Sequence, residues 1–469
     1  MVISITAGKK ISNSHQTRNI LCVLLLIGDI LGLVLSYSMC LWLRLGKNLH
    51  GFDPLIYVFF LLVLVGLYLA DTYHPDRQIA GLRAPYRILI SNFVVGALIA
   101  ALIYCTSAWG TDLLLKRGIW LPSLGLFTIW AVGLRIGAAN WAKAQAQHSR
   151  WLILGAGKKA ILFGKTFLER SSLGRLIFLS MGEQNSNEII ENHRVSVGSL
   201  NDLPQWSQQP WSGVVVTTPT ELSDVQMQQL MQLRLSGVSI YGLPDVCETL
   251  WYKLPSSLLQ DNWLAFGNGF NLTADSISQK LKRSVDIMLT CCLCVFLSPL
   301  MLLAALAIKL DSPGPVFYSQ IRTGLEGKPF KVYKFRSMYQ DAEKRGAQWA
   351  DKRDPRITRV GRWLRLTRID ELPQILNVIW GEMSLIGPRP ERPEFDVKLR
   401  QEIPYYDLRY IVKPGITGWA QVMYPYGASI EDAYEKLAYD LYYIKNYSLA
   451  LDLAIALKTI RVVLLGKGR

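Results

Sequence analysis

An adjacent pair of acids, Asp370 and Glu371, follows a run of arginines spaced three residues apart. The arginines are Arg356, Arg359, Arg362, Arg365 and Arg368. Neighbouring side chains point in different directions on a helix, so the two carboxylates would have different roles. Beside arginines that attract phosphate, one carboxylate could be a nucleophile and the other its supporting group. A structural role is equally open, because aspartate caps helices and acids and proline suit a first helical turn.

Histidine is missing from the part of the sequence that holds this acid pair. The last of the five histidines is His193, so neither a Cys–His nor a Ser–His arrangement is available beyond it. The seven cysteines show no metal-binding or disulfide spacing. Any chemistry in the C-terminal part must therefore be carried by carboxylates.

Further cations stand in rigid local settings. Residues 329–338 (PFKVYKFRSM) alternate as a strand does, which places Lys334 and Arg336 on the same face. Two adjacent cations suit a phosphate, although on an edge strand they would equally well be solvated. Arg389 lies in the stiff loop GPRP, and Lys413 begins the loop KPGITG, which is built from a cation, a proline and glycines.

The net charge of +15 predicts anionic partners such as phosphates, acidic lipid headgroups or nucleic acid. From Lys280 to the end, 30 Lys and Arg stand against 20 Asp and Glu, so most of the excess lies in this part. Trp363, Leu364 and Leu366 interleave with the arginines, which is typical of a segment at a headgroup surface. We expect no nucleic-acid partner, because the chain also carries long apolar segments.

Four apolar stretches in the first 140 residues are long enough, or nearly so, to cross a bilayer. They cover residues 20–43, 55–70, 88–109 and 119–139, and they predict an N-terminal four-helix transmembrane bundle over residues 1–145. A modest excess of Lys and Arg at both ends of the bundle, and between the second and third spans, places both ends in the cytoplasm. Asp29 and Arg135 fall within spans, where we expect a structural pair or snorkelling side chains.

Residues 150–267 predict a Rossmann-like α/β domain with a parallel sheet. The expected strands are 151–157, 176–181, 214–218 and 238–243, with a helix over 223–236. Gly155, Gly157 and Ala160 fit the pattern G-x-G-x-x-A, the turn that lets a backbone approach a pyrophosphate. Glu183 follows the second strand later than a ribose contact usually does, so a cofactor-free scaffold is favoured over a nucleotide site.

A linker over residues 268–279 leads into a second apolar run, 287–308, with Ser298 and Pro299 at its middle. Proline removes a backbone hydrogen bond and kinks a helix. Positive charge flanks both ends of the run, which argues against a simple crossing. The sequence predicts a re-entrant membrane helix over 284–309 that breaks at Ser298–Pro299 and returns to the same face. A kinked spanning helix is the alternative.

These motifs together resemble the bacterial polyprenyl-phosphate sugar-1-phosphate transferases. Ser298–Pro299, KFRSM, DELPQ, GEMSLIGPRP, KPGITGWAQV and Asp440 in YDLYYIKN occur in the order and spacing of that family. The preceding spans and nucleotide-fold domain resemble its long form, exemplified by undecaprenyl-phosphate glucose and galactose phosphotransferases. The tail ITGWAQVMYPYGAS is most similar to the exopolysaccharide branch.

The resemblance implies a cytoplasmic α/β catalytic domain over residues 280–469, at the bacterial inner membrane. Asp370 would attack the β-phosphorus of a UDP-sugar and release UMP, and undecaprenyl phosphate would then take the sugar phosphate, glucose or galactose being expected. Glu371 would assist, and Asp370 and Asp440 would lie near Mg²⁺. The residues implied in phosphate or substrate binding are Lys334, Arg336, Arg368, Arg389 and Lys413.

The resemblance also implies membrane-lipid contact and a homodimer, and it has one departure. Many relatives follow GWAQV with Asn-Gly-Arg, whereas this chain continues with MYPYG, which leaves the choice of sugar open. The alternative function is a non-enzymatic membrane scaffold or nucleotide sensor that uses Gly155 and Gly157.

Overall fold

The computed structural model divides into two compact units, Met1–Leu243 and Pro244–Arg469. It describes residues 14–46, 54–73, 83–105, 117–147, 149–155, 157–170, 174–180, 195–207, 209–217, 222–270, 277–340, 354–424, 427 and 429–464. Glu183, parts of the predicted linker and of the MYPYG segment, and most of the inter-span loops lie outside these residues. The domain bounds derived from the sequence stay predictions.

Four apolar helices begin the first unit. They are α1 (Ser14–Leu45), α2 (Pro54–Leu69), α3 (Arg83–Cys105) and α4 (Arg117–Gln147). Segments Leu21–Leu45 and Gly118–Ala144 are long and apolar enough to cross a membrane, while Ile56–Leu69 and Pro85–Ala101 are shorter over the described residues. The prediction of apolar membrane helices at this end is confirmed, and the count of four spans stays a prediction.

A buried ion pair joins α1 to α4. Asp29 and Arg135 are both fully buried, and each Nη of Arg135 donates to a different oxygen of Asp29, with Nη2 to Oδ2 at 2.6 Å. The Tyr73 hydroxyl donates to the same Oδ2 at 2.6 Å, and the guanidinium lies 5.1 Å from the Tyr73 ring centroid. The pair predicted from the sequence is therefore present, and either charge alone would be buried without its partner.

The rest of the first unit is a parallel α/β domain, as the sequence predicts. Its five strands lie in the order β3-β2-β1-β4-β5, the doubly wound order of the Rossmann fold. The elements are β1 (Arg150–Leu154), α5 (Lys158–Arg170), β2 (Arg175–Ser180), β3 (Val195–Ser199), α6 (Leu203–Trp206), β4 (Gly213–Val216), α7 (Asp224–Leu235) and β5 (Ile240–Gly242).

Local chemistry accounts for two features of this domain. Helix α7 begins after Ser223, which forms a reciprocal capping box with Gln226 and fixes the start predicted from the sequence. Strand β3 was not predicted, because at the edge of the sheet it buries no side chain and its short sequence, VSVGS, has no long apolar run. Gly155 has a φ of +103° just after β1, as the predicted glycine turn requires.

The second unit carries the acid pair. Its helices are α8 (Leu243–Trp251), which starts at the unit boundary, α9 (Asp261–Phe266), α10 (Ile277–Asp311), α11 (Arg359–Leu366), α12 (Ile375–Trp380), α13 (Pro393–Glu402), α14 (Trp419–Met423), α15 (Ile430–Lys445) and α16 (Leu449–Leu464). Strands β6 (Phe317–Thr323) and β7 (Pro329–Phe335) form an antiparallel hairpin, and β8 (Ser384–Ile386) pairs in parallel with β9 (Gly415–Thr417).

Helix α10 is the third helix long and apolar enough to cross a membrane. It is one helix of 35 residues through Ser298 and Pro299. Its middle is exposed, with Val295 at 77% and Phe296 at 81% of full accessibility. Both ends contact the rest of the second unit, although Ile277 and Leu310 at the two ends are exposed as well. The re-entrant path stays a prediction.

The first turns of α10 are fixed by polar contacts and its last turns by apolar ones. Lys282 donates to Asp452 at 2.7 Å and to the Ile386 carbonyl at 3.1 Å, and Asp286 accepts a hydrogen bond from Ser384 at 2.7 Å. At the other end, Ala304 and Ile308 are buried with Phe335 and Leu364 in a common apolar cluster. The two ends therefore define how α10 is attached to β7, β8 and α11.

Candidate active site

The acid pair lies on a short 3-10 helix, Ile369–Gln374, that begins after a left-handed residue. Arg368 occupies the N-cap position with a φ of 58°, so Asp370 and Glu371 fall in the first turn and neither caps the helix. A non-glycine residue in this conformation is strained by about 1–3 kcal/mol and is usual at functional sites. The surrounding packing must stabilise the turn that presents the two carboxylates.

Glu371 is the anion on which three cations converge. Its Oε1 accepts hydrogen bonds from Lys334 at 3.0 Å and from Arg389 at 2.7 Å, and its Oε2 accepts one from Arg368 at 3.2 Å. Burial alone would raise the pKa of Glu371, but these three cations hold it well below its ordinary value. The Glu371 side chain is thus a permanent negative charge that orients Lys334, Arg368 and Arg389.

Asp370 has a different environment, as the adjacent positions predict. Burial, followed by the negative charge of Glu371, raises the pKa of Asp370 to about 6, although Lys334 and Arg365 act in the opposite direction. Its side chain borders a cavity, and no hydrogen bond to its carboxylate comes from the described residues. At neutral pH Asp370 is therefore an ionised carboxylate that is open to a ligand.

The cavity that Asp370 borders has a volume of about 380 Å³ and a strongly positive wall. This volume falls within the usual range for small-molecule sites. The cationic lining residues are Arg322, Lys334, Arg336, Arg356, Arg365, Arg389, Arg392, Arg409 and Lys436, against the acids Asp370 and Glu391. Such an excess of cations suits a ligand with several negative charges, such as a diphosphate.

Backbone-to-backbone packing of two loops sets the position of Arg389. Gly415 donates its N–H to the Pro388 carbonyl at 2.9 Å. A Cβ on Gly387 would come within 2.4 Å of the Lys413 carbonyl oxygen, and one on Gly415 within 2.1 Å of the Gly387 nitrogen. The glycines of GPRP and KPGITG are therefore required for close approach, and this contact fixes the loop that carries Arg389.

Two residues expected to bind phosphate have other surroundings. The Arg336 guanidinium is buried and donates to the Ser312 carbonyl and the Pro313 carbonyl, both at 2.7 Å, and to the Ser312 hydroxyl at 2.9 Å. Arg336 borders the cavity, but its hydrogen bonds mainly hold the backbone that follows α10. Lys413 is not among the residues that line the cavity. Lys334 and Arg389, by contrast, line the cavity beside Asp370, whereas Arg368 bonds to Glu371 without lining the cavity.

Asp440 lies behind the cavity wall rather than in it. Arg409 donates to Asp440 Oδ2 at 3.1 Å, to the Tyr406 hydroxyl at 2.7 Å and to the Arg389 carbonyl at 2.8 Å. Burial raises the pKa of Asp440 to about 6, against the opposing effect of Arg409. Asp440 thus balances the buried Arg409, which in turn supports the backbone of Arg389.

Several lining residues were not singled out in the sequence, although simple patterns mark them. Tyr318, Gln320 and Arg322 alternate along β6 and all line the cavity. Lys436 lies one helical turn before Asp440 on α15, and Glu391 directly follows GPRP. Residues two apart in a strand or four apart in a helix lie on the same face, and this spacing could have identified the additional lining residues.

The side chains around the cavity can be compared with those that usually bind a divalent cation. Among the described residues, no group of three or more His, Cys, Asp or Glu side chains is arranged to hold a metal. Mg²⁺ usually takes only one or two carboxylates, with substrate phosphates and water completing its shell. The unbonded carboxylate of Asp370 fits that pattern. The carboxylate of Asp440 is paired with Arg409, so its role as a ligand stays a prediction.

The amino-acid sequence is similar to those of known proteins. The family described as bacterial sugar transferase matches residues 277–466. A UDP-glucose:undecaprenyl-phosphate glucose-1-phosphate transferase of Escherichia coli strain K12 is 32% identical over 395 residues, covering 82% of this chain and 83% of the relative. A protein with the same description from Xanthomonas campestris pv. campestris is 45% identical over 432 residues, covering 80% of this chain and 86% of the relative.

Another relative matches over a shorter region. A UDP-N-acetylgalactosamine-undecaprenyl-phosphate N-acetylgalactosaminephosphotransferase of Aeromonas hydrophila is 46% identical over 239 residues. This match covers 51% of the present chain and 55% of the relative. The relatives thus differ in the sugar that their descriptions name.

The contacts of Arg336 predict a structural rather than a substrate-binding effect. Arg336→Met removes three hydrogen bonds from a buried cation, so we expect the free energy of unfolding to fall by about 3 kcal/mol or more. Arg362→Met, which removes an exposed arginine of α11, should change it by less than about 0.5 kcal/mol. Thermal unfolding in detergent measures both. Equal stability of the two variants would contradict the structural role of Arg336.

Proposed function

Because the chain belongs to the bacterial sugar transferase family, we propose that it transfers a sugar-1-phosphate from a UDP-sugar to undecaprenyl phosphate and releases UMP. The observation that carries the proposal is an open, ionised Asp370 in a cationic cavity beside the buried anion Glu371. The proposal rests on this site and on the descriptions of the relatives.

In the first step, an Asp370 oxygen attacks the β-phosphorus of the UDP-sugar. A bond forms between the carboxylate oxygen and phosphorus, the bond from that phosphorus to the bridging oxygen breaks, and UMP leaves with the electron pair. The aspartate becomes a mixed anhydride with the sugar phosphate. A buried carboxylate with a raised pKa is a stronger nucleophile than a solvated one, which supports this role for Asp370 over Glu371.

In the second step, a phosphate oxygen of undecaprenyl phosphate attacks the same phosphorus. The bond between phosphorus and Asp370 breaks, and the carboxylate is regenerated with undecaprenyl-diphospho-sugar as product. Phosphoryl transfer depends mainly on position and on neutralised charge. Lys334 and Arg389 supply that charge in the cavity, and their common bond to Glu371 holds them in place before substrate arrives. Arg368, which was expected to bind phosphate, would act through Glu371.

Mg²⁺ is the cofactor we propose, with Asp370 and the donor diphosphate as ligands. When bound, it would neutralise negative charge on the diphosphate. The cations of the cavity wall do the same from the protein side. Asp440 is the second ligand expected from the sequence.

We propose that α10 turns back within the membrane and keeps the catalytic unit in the cytoplasm. A straight helix from Arg283 to Ile308 would be about 38 Å long. Arg283 donates to the Val378 carbonyl at 2.6 Å, whereas Ile308 lies in a cluster against which Leu372 packs. Val378 and Leu372 are only about 10 Å apart along consecutive helical turns. These contacts support a bend near Pro299.

Helix α11 would lie at the membrane surface beside α10. Leu364 is buried against Ala304 and Ile308, while the adjacent Trp363 is 70% exposed. A Cβ on Gly361 would come within 2.0 Å of the Ser337 carbonyl oxygen, so α11 also packs closely on the chain after β7. Exposed arginines and tryptophan on one face favour contact with lipid headgroups.

The sugar and the pathway follow from the relatives only as expectations. Relatives are described as acting on UDP-glucose and on UDP-N-acetylgalactosamine, and one is described as an exopolysaccharide production protein. We propose initiation of exopolysaccharide or a similar repeat unit at the inner membrane by a homodimer. The alternative, a non-enzymatic scaffold or nucleotide sensor, has Gly155 and Gly157 in its favour.

The covalent step predicts an adduct on one residue. Incubation of the reconstituted enzyme with a UDP-sugar alone should release UMP in a burst and add a sugar phosphate to the peptide that holds Asp370. Asp370→Asn should abolish both, whereas Asp407→Asn, which removes an exposed carboxylate, should leave both unchanged. Mass spectrometry of the digested protein, repeated over a panel of UDP-sugars, measures the adduct. A sugar phosphate on another residue would contradict the mechanism.

The pKa of Asp370 predicts the acid limb of the pH–rate profile, that is, how the rate of UMP release falls as the pH is lowered. Asp370 must be ionised to attack, so UMP release should fall about tenfold per pH unit below about pH 6. Glu371→Gln removes a negative charge that raises the pKa of Asp370, so the acid limb of the remaining activity should move to lower pH. Initial rates from pH 4.5 to 8 measure the shift. A limb that stays in place or moves upward would contradict this assignment.

The re-entrant path predicts one-sided labelling of α10. Ser278→Cys and Leu310→Cys, made separately in a chain without its native cysteines, should both react with a membrane-impermeant maleimide in inside-out vesicles. Neither should react in right-side-out vesicles, and the parent chain without cysteines should not react at all. Labelling of the two positions from opposite sides would show a spanning helix instead.

A further inference from the structure

Lys413 lies outside the cavity of Asp370, and its surroundings favour a different anion. Its ammonium group makes no hydrogen bond or ion pair with a described residue. Burial lowers the pKa of Lys413, and repulsion by the neighbouring Arg283 lowers it further, against the opposing effect of Asp286. An anion between them would relieve that repulsion.

The two cations border a notch at Gly381. This glycine ends α12 with a φ of +89°, and a Cβ built on it would lie 3.4 Å from Arg283 Nη2 and 3.8 Å from Lys413 Nζ. The two nitrogens are therefore at most about 7 Å apart. A single phosphate group can accept hydrogen bonds from both at this separation, through different oxygens.

The chain fixes this notch without filling it. Arg283 donates from its two Nη atoms to the Val378 carbonyl at 2.6 Å and the Ile379 carbonyl at 3.0 Å. A guanidinium has five N–H groups, so donors remain for a ligand. Asp286, the carboxylate that acts on Lys413, accepts a hydrogen bond from Ser384 at 2.7 Å. The fold thus holds Arg283 directly and fixes the carboxylate that acts on Lys413.

The notch lies where α10 enters its apolar stretch. Ile287 and Met288 are exposed one turn after Arg283, a distance of about 6 Å along the helix. One headgroup layer of a bilayer has about this thickness. Trp380, next to Gly381, is 55% exposed, and exposed tryptophan is enriched at the membrane–water boundary. With α10 in the membrane as proposed above, the cations would sit at the depth of lipid phosphates.

We propose that Lys413 and Arg283 bind the phosphate of an anionic phospholipid at the start of α10, apart from the cavity of Asp370. The exposed Trp380, Ile287 and Met288 beside the notch favour a lipid over free phosphate, because they offer apolar surface to acyl chains. This proposal requires α10 to lie in the membrane. It does not depend on the proposed reaction, since its test measures bound lipid and not UMP.

The test uses the full chain in nanodiscs of equal parts phosphatidylglycerol and phosphatidylcholine. After transfer to detergent, native mass spectrometry counts the lipids retained per chain. Wild type should retain phosphatidylglycerol in preference to phosphatidylcholine. Lys413→Gln should lower its occupancy about fivefold, the usual effect of one lysine near an anionic surface. Lys413→Arg should restore it, since it keeps the charge.

Lys328→Gln is the matched control, because it removes the same charge from an exposed lysine that pairs with Glu326. It should retain phosphatidylglycerol as wild type does. The proposal fails if Lys413→Gln and Lys328→Gln retain equal amounts, or if wild type shows no preference between the two lipids. Displacement of phosphatidylglycerol by millimolar inorganic phosphate would instead assign the notch to a free anion. The wild-type preference and the Lys413→Arg result remain informative if Lys413→Gln does not fold.

Discussion

The negative charge of Glu371 is the constraint on which the active-site cavity depends. Lys334 comes from strand β7, Arg368 from the turn before the acids and Arg389 from the GPRP loop, and all three donate to this one carboxylate. Cations from separate elements would repel one another without it. Burial and this same charge raise the pKa of Asp370, so one side chain both orders Lys334 and Arg389 of the cavity wall and makes its neighbour a more basic carboxylate.

A second layer supports the first from behind. Arg409 holds the Arg389 carbonyl and is balanced by Asp440, while the Tyr406 hydroxyl donates to Asp396 at 2.9 Å. Asp396 in turn accepts a hydrogen bond from the Thr323 hydroxyl at the end of β6. Networks of this kind are stabilising only when every member has a partner. The hairpin β6–β7, helix α13 and helix α15 are therefore coupled to the position of Arg389.

Sequence reasoning succeeded where a pattern or motif had one local meaning. The parallel sheet and the helix predicted over 223–236 are both present, and the pairing of Asp29 with Arg135 is one of the two arrangements expected from their charges. It was incomplete where a cation has several possible partners. Arg336 and Lys334 share a strand face as predicted, yet one bonds to backbone carbonyls and the other to Glu371. The two side chains differ because the carbonyls of Ser312 and Pro313, just after α10, lie within reach of Arg336.

The surroundings of Lys413 and Asp440 depend on packing between separate parts of the chain. Lys413 begins the loop whose glycines press against GPRP, and that contact directs the lysine to the notch near Gly381 instead of the cavity. Neither spacing nor charge in the sequence contains this information, because it arises between residues far apart in the chain. Asp440 is similar, since its partner Arg409 lies on a different element.

The size of the cavity bears on why a covalent intermediate would suit this enzyme. A volume of about 380 Å³ lies near the lower end for small-molecule sites. In the proposed reaction, a nucleotide-sugar and a polyprenyl phosphate would both need the cations around Asp370, and an aspartyl intermediate would let the two substrates occupy the site in turn. UMP would leave before the lipid phosphate enters, so the same cations would neutralise first one phosphate and then the other. The last turns of α10 pack with Phe335, which lines this cavity, so the apolar helix would offer the lipid acceptor an approach from the membrane side.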